Sequence, residues 1–122
     1  MTFTPLERDV LRWIIQHSND EALIRQLMDA KPSRRKFTGR GSFTDLGVPA
    51  DSPRVRQRVY DKGMPLVKSP QLKHGAGVVL FCKDGFAEFL EFFTFGAESF
   101  PQVLRSWQLE PWPGNSVAAA RE

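Results

Sequence analysis

The chain has 122 residues, of which 41% are apolar and 25% charged, and carries a formal charge of +3. That length suits one hydrophobic core, and that composition excludes a disordered or collagen-like chain. A single cysteine, Cys82, excludes an internal disulfide and a cysteine-built metal centre.

The opening residues Met1-Thr2-Phe3-Thr4-Pro5 lack a basic start followed by an apolar run, and no stretch reaches the roughly 20 apolar residues of a membrane span. A cytoplasmic protein without membrane contact is the expectation. The small net charge hides an asymmetry: residues 1–30 sum to −2, residues 31–73 to +8 and residues 74–122 to −3. A basic middle between acidic ends is either a polyanion-binding patch or a set of charges matched by neighbouring acids and solvent.

In chain order, Thr4-Pro5-Leu6-Glu7 predicts a helix start, with Thr4 as N-cap, Pro5 in the first turn and Glu7 completing a capping box. Leu6, Val10, Trp13 and Ile14 recur at helical spacing up to His17. Ser18 and Glu21 repeat the capping-box spacing, and Leu23, Ile24, Leu27 and Met28 form a second stripe that must stop before Pro32.

Beyond Ser33 glycines and prolines divide the chain into strand-length pieces. Residues 34–38 and 42–48 read as strands joined around Gly39-Arg40-Gly41. Residues 54–60 alternate Arg54, Arg56 and Arg58 with Val55, Gln57 and Val59, which fits a half-exposed strand, with a short helix as the alternative. Asp84-Gly85 separates two strong strand formers, residues 78–83 and 86–95, and predicts a two-residue hairpin. Simple counting pairs Lys83 with Phe86, Cys82 with Ala87, Phe81 with Glu88, Leu80 with Phe89, Val79 with Leu90 and Val78 with Glu91. Both faces of this hairpin are largely apolar, which places it centrally, with the helices over one side and another cover on the second. Residues 102–107 suggest a short helical turn, and Glu110-Pro111-Trp112-Pro113-Gly114 an extended arm. The expected fold is α+β: an N-terminal helical hairpin on a small, mostly antiparallel sheet of about four to five strands. Residues 1–114 form its single domain and residues 115–122 a disordered tail.

Chemistry-bearing residues are few. His17 and His74 are not spaced to share a metal, so no metal and no cofactor are expected. Cys82 lies among apolar strand residues and reads as an inert small hydrophobe. Glu88 and Glu91, three apart in a strand, point to opposite faces and cannot act as a carboxylate pair. Glu91 falls among Leu80, Phe89, Phe93 and Phe95, where it needs a cation from Arg34, Arg35 or Arg40. A structural ion pair is the expectation there, with acid/base catalysis by Glu91 the weakest of three functional readings. The clusters Gly39-Arg40-Gly41 and Gly75-Ala76-Gly77 read as turns, since neither lies between a strand and a helix.

The aromatic load of the last third, from Phe86 to Trp112, is more than two short helices cover, and exposed aromatic surface marks a protein partner or a second copy. The expected contact residues are Glu88, Phe95, Glu98, Phe100, Trp107 and Trp112. The bland alternative is a filled core with the aromatic arm folded across it. A nucleic-acid reading instead uses Arg34, Arg35, Lys36, Arg40, Arg54, Arg56 and Arg58, with Phe37, Phe43 or Tyr60 for stacking.

The segment Gly75-Ala76-Gly77-Val78-Val79-Leu80-Phe81, the turn Asp84-Gly85 and the run from Leu90 to Gly96 with Glu98, Phe100 and Pro101 resemble a family of small uncharacterised bacterial proteins. The resemblance covers most of residues 5–101, including the strand pair around Phe37-Thr38-Gly39 and Phe43-Thr44, and implies a helical start with a closing hairpin. Phenylalanines stand at Phe92, Phe93, Phe95 and Phe100 where the family pattern has tyrosines and a tryptophan. It brings no catalytic residues. By analogy with small bacterial proteins lacking catalytic motifs, the expected function is a non-enzymatic protein-binding module, an immunity-type protein that neutralises a toxin by binding it.

Overall fold

The computed structural model describes residues 1–113. The tail expected at residues 115–122 lies outside the described residues. Among the described residues the fold is α+β, with two helices followed by seven strands.

Helix α1 (Pro5–His17) starts as the sequence predicts: the Thr4 hydroxyl accepts from the Glu7 N–H at 3.1 Å, and the Thr4 N–H donates to Glu7 Oε1 at 2.9 Å. Its inward face is Leu6, Glu7, Val10, Leu11 and Ile14. Trp13 sits half-buried beside that face, its ring stacked on His17 at 3.9 Å. Helix α2 (Glu21–Met28) is capped by Asp20, not by Ser18: Asp20 Oδ1 accepts from the Leu23 N–H at 3.2 Å, while Ser18 ends α1 and its hydroxyl accepts from the Asp20 N–H. The carboxylate nearer the helix takes the cap. The stripe also shifts, since α2 turns Leu23, Gln26 and Leu27 inward and leaves Met28 67% exposed.

The strands are β1 (Lys31–Phe37), β2 (Gly41–Gly47), β3 (Val59–Tyr60), β4 (Pro65–Ser69), β5 (Leu72–Lys83), β6 (Phe86–Thr94) and β7 (Gln108–Pro111). Neighbouring strands are antiparallel, in the order β1-β2-β6-β5-β4-β7, with β3 on β5. Seven strands exceed the four to five expected because β4 and β7 are short, are bounded by prolines and show little alternation. Residues 54–58 form a loop rather than a strand; only Val59 and Tyr60 pair, with Phe81 and Leu80. Residues 102–107 form no helix.

Asp84 and Gly85 both take positive φ, 54° and 88°, as a type I′ turn requires. Lys83 faces Phe86 and Cys82 faces Ala87, but Glu88 is then left out as a β-bulge. Beyond it Phe81 faces Phe89, Leu80 faces Leu90, Val79 faces Glu91 and Val78 faces Phe92. The predicted pairs above Ala87 are therefore displaced by one residue. Between β2 and β6 the backbones approach so closely that a Cβ on Gly41 would meet the Phe92 carbonyl oxygen at 1.9 Å.

The helices and the sheet share one core that includes Val10, Ile14, Leu23, Val78, Leu80, Leu90 and Phe92. Gln26, with no exposed surface, joins α2 to this core. Its amide nitrogen donates to the carbonyls of Pro53 (2.7 Å) and Gly85 (2.8 Å), and its Oε1 accepts from the Ala87 N–H at 2.8 Å. Among the described residues no helix is long and apolar enough to cross a membrane.

Gln26→Met keeps the side-chain length but leaves the buried Ala87 N–H without its acceptor. A loss of about 2–3 kcal/mol is expected in urea unfolding at unchanged m, with faster hydrogen exchange at Ala87.

Candidate binding face

The inward side of the sheet is fixed by a buried charge. Glu7 is 2% exposed, and Arg35 reaches it with Nε at 2.8 Å and Nη2 at 2.5 Å, while the Thr44 hydroxyl donates to Oε2. Arg35 Nη2 also donates to the Thr2 carbonyl. Burial pushes the Glu7 carboxyl up, but hydrogen bonds from Arg35, Thr44 and the Thr4 backbone outweigh it and hold the carboxyl below its ordinary value. From the sequence Glu7 reads only as a capping residue. Its spacing to Val10, Leu11 and Ile14 was the available sign that it faces inward.

Since Arg35 and Thr44 face each other across β1 and β2, their neighbours must point the other way. The outer, helix-free side therefore carries Arg34 and Lys36 from β1, Phe43 and Asp45 from β2, Phe89 and Glu91 from β6, and Val79 and Phe81 from β5. Three half-buried rings meet there: Phe81 stacks on Phe89 at 4.6 Å and Phe43 meets Phe89 edge-on at 5.4 Å. Arg54 lies over the Phe86 ring at 5.4 Å beside the hairpin turn. Arg34 pairs with Asp45 at 3.2 Å. Arg40, in the β1–β2 turn, lines a recess with Glu91, Phe93 and Gly96.

The basic set thus divides. Arg34, Lys36, Arg40 and Arg54 border the outer face, Arg35 is spent on Glu7, and Arg56 and Arg58 lie exposed on the loop entering β3. Among the described residues ion pairs engage Arg34 and Arg35 but not Lys36, Arg40, Arg54, Arg56 or Arg58. Of the expected stacking rings Phe43 is on this face, Phe37 is on the helix side, and Tyr60 is buried with its hydroxyl donating to Asp20 at 2.6 Å. Glu91 is buried; of its three expected cations, Arg34 and Arg35 have other carboxylates and Arg40 shares its recess.

The residues expected to contact a protein partner do not form one patch. Phe100 is buried and stacked on Phe92, and Trp107 donates its Nε1–H to Asp9, both on the helix side. Phe95 stacks on Trp112 and meets Phe93 edge-on. Glu98 accepts from the backbone N–H groups of Lys73 and His74, and Glu88 is the exposed bulge residue near the far end of β6.

Other reactive groups are held quiet. Burial, then Asp20 and Glu88, pushes the Cys82 thiol up to about 11, so it stays protonated at neutral pH. Burial and the Asp20 hydrogen bond raise the Tyr60 phenol as well. Among the described residues no group of three His, Cys, Asp or Glu side chains is placed to hold a metal ion. Comparison with models of known families, with curated proteins and with solved structures gives no match.

A carboxylate whose pKa is depressed on folding stabilises the fold above its ordinary value, 4.5 for Glu7, and that contribution is lost as the pH falls through the lower native value. Wild-type stability should therefore fall between pH 4.5 and the native Glu7 value, and Glu7→Gln should flatten that fall in urea titrations. Glu7→Ala at pH 7 should cost about 3 kcal/mol by leaving Arg35 unpaired, and pairing it with Arg35→Met should recover much of the loss.

Proposed function

We propose that the protein is a non-enzymatic binding module whose helix-free sheet face grips a protein partner. The observation that carries this reading is the cluster of Phe43, Phe81 and Phe89, partly buried and joined through Phe89, within a rim of both charge signs. Rings at the centre with arginines and polar groups around them match the composition of protein-binding hot spots. The Arg34–Asp45 pair on the same face adds a polar border of both signs beside the rings. The form of this function we propose is that of an immunity protein: binding alone neutralises a toxin by covering its working surface, with no chemistry required. The cytoplasm is the compartment in which a producing cell needs that protection.

The contact surface so proposed differs from the aromatic end of the chain, since Phe100 and Trp107 are occupied internally. A second reading rests on Lys36, Arg40, Arg56 and Arg58, which have no carboxylate in ion-pairing range among the described residues. With Phe43 beside Lys36, they support single-stranded nucleic-acid binding by charge and stacking.

Affinity capture from the protein's own cells at moderate salt, with absorbance at 260 and 280 nm, separates the two readings. On the protein reading, a stoichiometric chain is retained by the wild type and by Arg12→Glu, which lies on α1, and Phe43→Ala/Lys36→Glu weakens it at least tenfold. Co-expression with that chain, if it is toxic, restores growth only for the binding-competent forms. Nucleic acid released by salt, with affinity falling steeply in log–log plots, would replace the protein reading with the second.

A further inference from the structure

On the opposite side of the sheet a cleft of about 290 Å³ opens between the first turn of α1 and residues 100–107. Its floor is one row of the sheet, Phe37, Ser42 and Phe92, which face one another across β1, β2 and β6. Leu6, Leu104 and Trp107 add apolar walls. The far wall has no regular structure, yet it is pinned. The Phe100 N–H donates to the Gly39 carbonyl, Gln71 bonds the backbone of Val103 and Arg105, and Trp107 donates to Asp9. The cleft is therefore built into the fold, and its volume is near the lower end for small-molecule sites.

Two polar groups there have donors to spare. Ser42 is 3% exposed, and its hydroxyl has no hydrogen-bond partner among the described residues. Among the described residues no buried side-chain polar atom is sealed without a partner, so the Ser42 hydroxyl opens onto the cleft it lines. Every other buried polar side chain of the inward face described above, Glu7, Gln26 and Thr44, is fully engaged. Arg35 uses Nε and Nη2 on Glu7 and Thr2, which leaves its Nη1 donors without a partner among the described residues. Arg35 and Arg105 against Glu7 give the lining a surplus of one positive charge.

We propose that this cleft binds a medium-chain carboxylate. The alkyl chain lies along Phe92, Leu6 and Trp107, and the carboxylate accepts hydrogen bonds from the Ser42 hydroxyl and Arg35 Nη1, with Arg105 at the mouth. The apolar lining favours the chain by burial, and the spare donors favour an acceptor at one end only. This site lies on the helix side of the sheet and does not depend on the binding-face reading.

Calorimetric titration of the full chain with decanoate below its micellar range, beside decanol as a headgroup control, tests it. Saturable binding at one per chain is expected, with decanol at least tenfold weaker, since a hydrogen bond to a charged group is worth about a factor of ten. Ser42→Ala should weaken decanoate about tenfold and Arg105→Gln severalfold, and Leu104→Trp should block the cleft. Circular dichroism confirms that each variant folds, and amide shifts should centre on Ser42, Phe92 and residues 100–107. Non-saturating uptake, equal binding of decanol, full affinity in folded Ser42→Ala, or shifts centred on Phe43 and Phe89 would each overturn the proposal.

Discussion

The buried carboxylate of Glu7 is the constraint from which the two sides of the sheet follow. An isolated carboxylate with 2% of its surface exposed would not survive as an ion. Its helix position, in register with Val10, Leu11 and Ile14, gives it no route to solvent. It therefore needs a guanidinium and a hydroxyl from the sheet beneath, and Arg35 and Thr44 meet that need as direct neighbours on β1 and β2. Once Arg35 is drawn inward, strand alternation sends Arg34 and Lys36 outward, and with them Phe43 and Asp45. The outer face is cationic at its β1 edge because one arginine of a run of three cations is consumed inside.

How much of this the sequence disclosed depends on how local the deciding interaction is. The cap of α1 is written in four adjacent residues, and the hairpin turn in two, so both were legible. The bulge at Glu88 was not. It is set by the match between Gln26, which takes the Ala87 N–H, and the pairing of β6 with β2 and β5 further along, contacts that join distant parts of the chain. β4 and β7 stabilise each other as an edge pair, Leu66 facing Glu110 and Val67 facing Leu109, and neither shows a period long enough to be seen alone. The loop at residues 54–58 kept the arginine alternation of a strand, yet its backbone is satisfied elsewhere, Val55 by Gly85.

The aromatic residues show the same division. A count of aromatics in the last third could not say which of them the core would absorb. Phe92 and Phe100 stack beneath the helix side, and Trp107 is held by Asp9 across a long sequence separation. The bulge then decides the rest: with one residue left over at Glu88, Phe86 and Phe89, three apart, come to the same outer side that Lys83 and Phe81 occupy on β5. Without that extra residue Phe89 would turn inward to face Leu80, as simple counting had it. The aromatic cluster on the outer face thus exists only in the bulged register.

The two sides of one sheet are consequently suited to different ligands. On the outer side the rings lie on paired central strands, where backbone hydrogen bonds hold them in place, so little conformational entropy remains to be lost when a large surface docks. On the inner side α1 and residues 100–107 rise over the sheet as two walls, and the floor between them is apolar apart from Ser42. A small ligand gains burial on three sides there, while a protein surface could not enter. The Glu7–Arg35 pair is common to both: it turns the outer cations outward and sets Arg35 in the lining of the cleft. A change at that pair should therefore be felt on both sides of the sheet, whereas Phe43 and Ser42 address one side each.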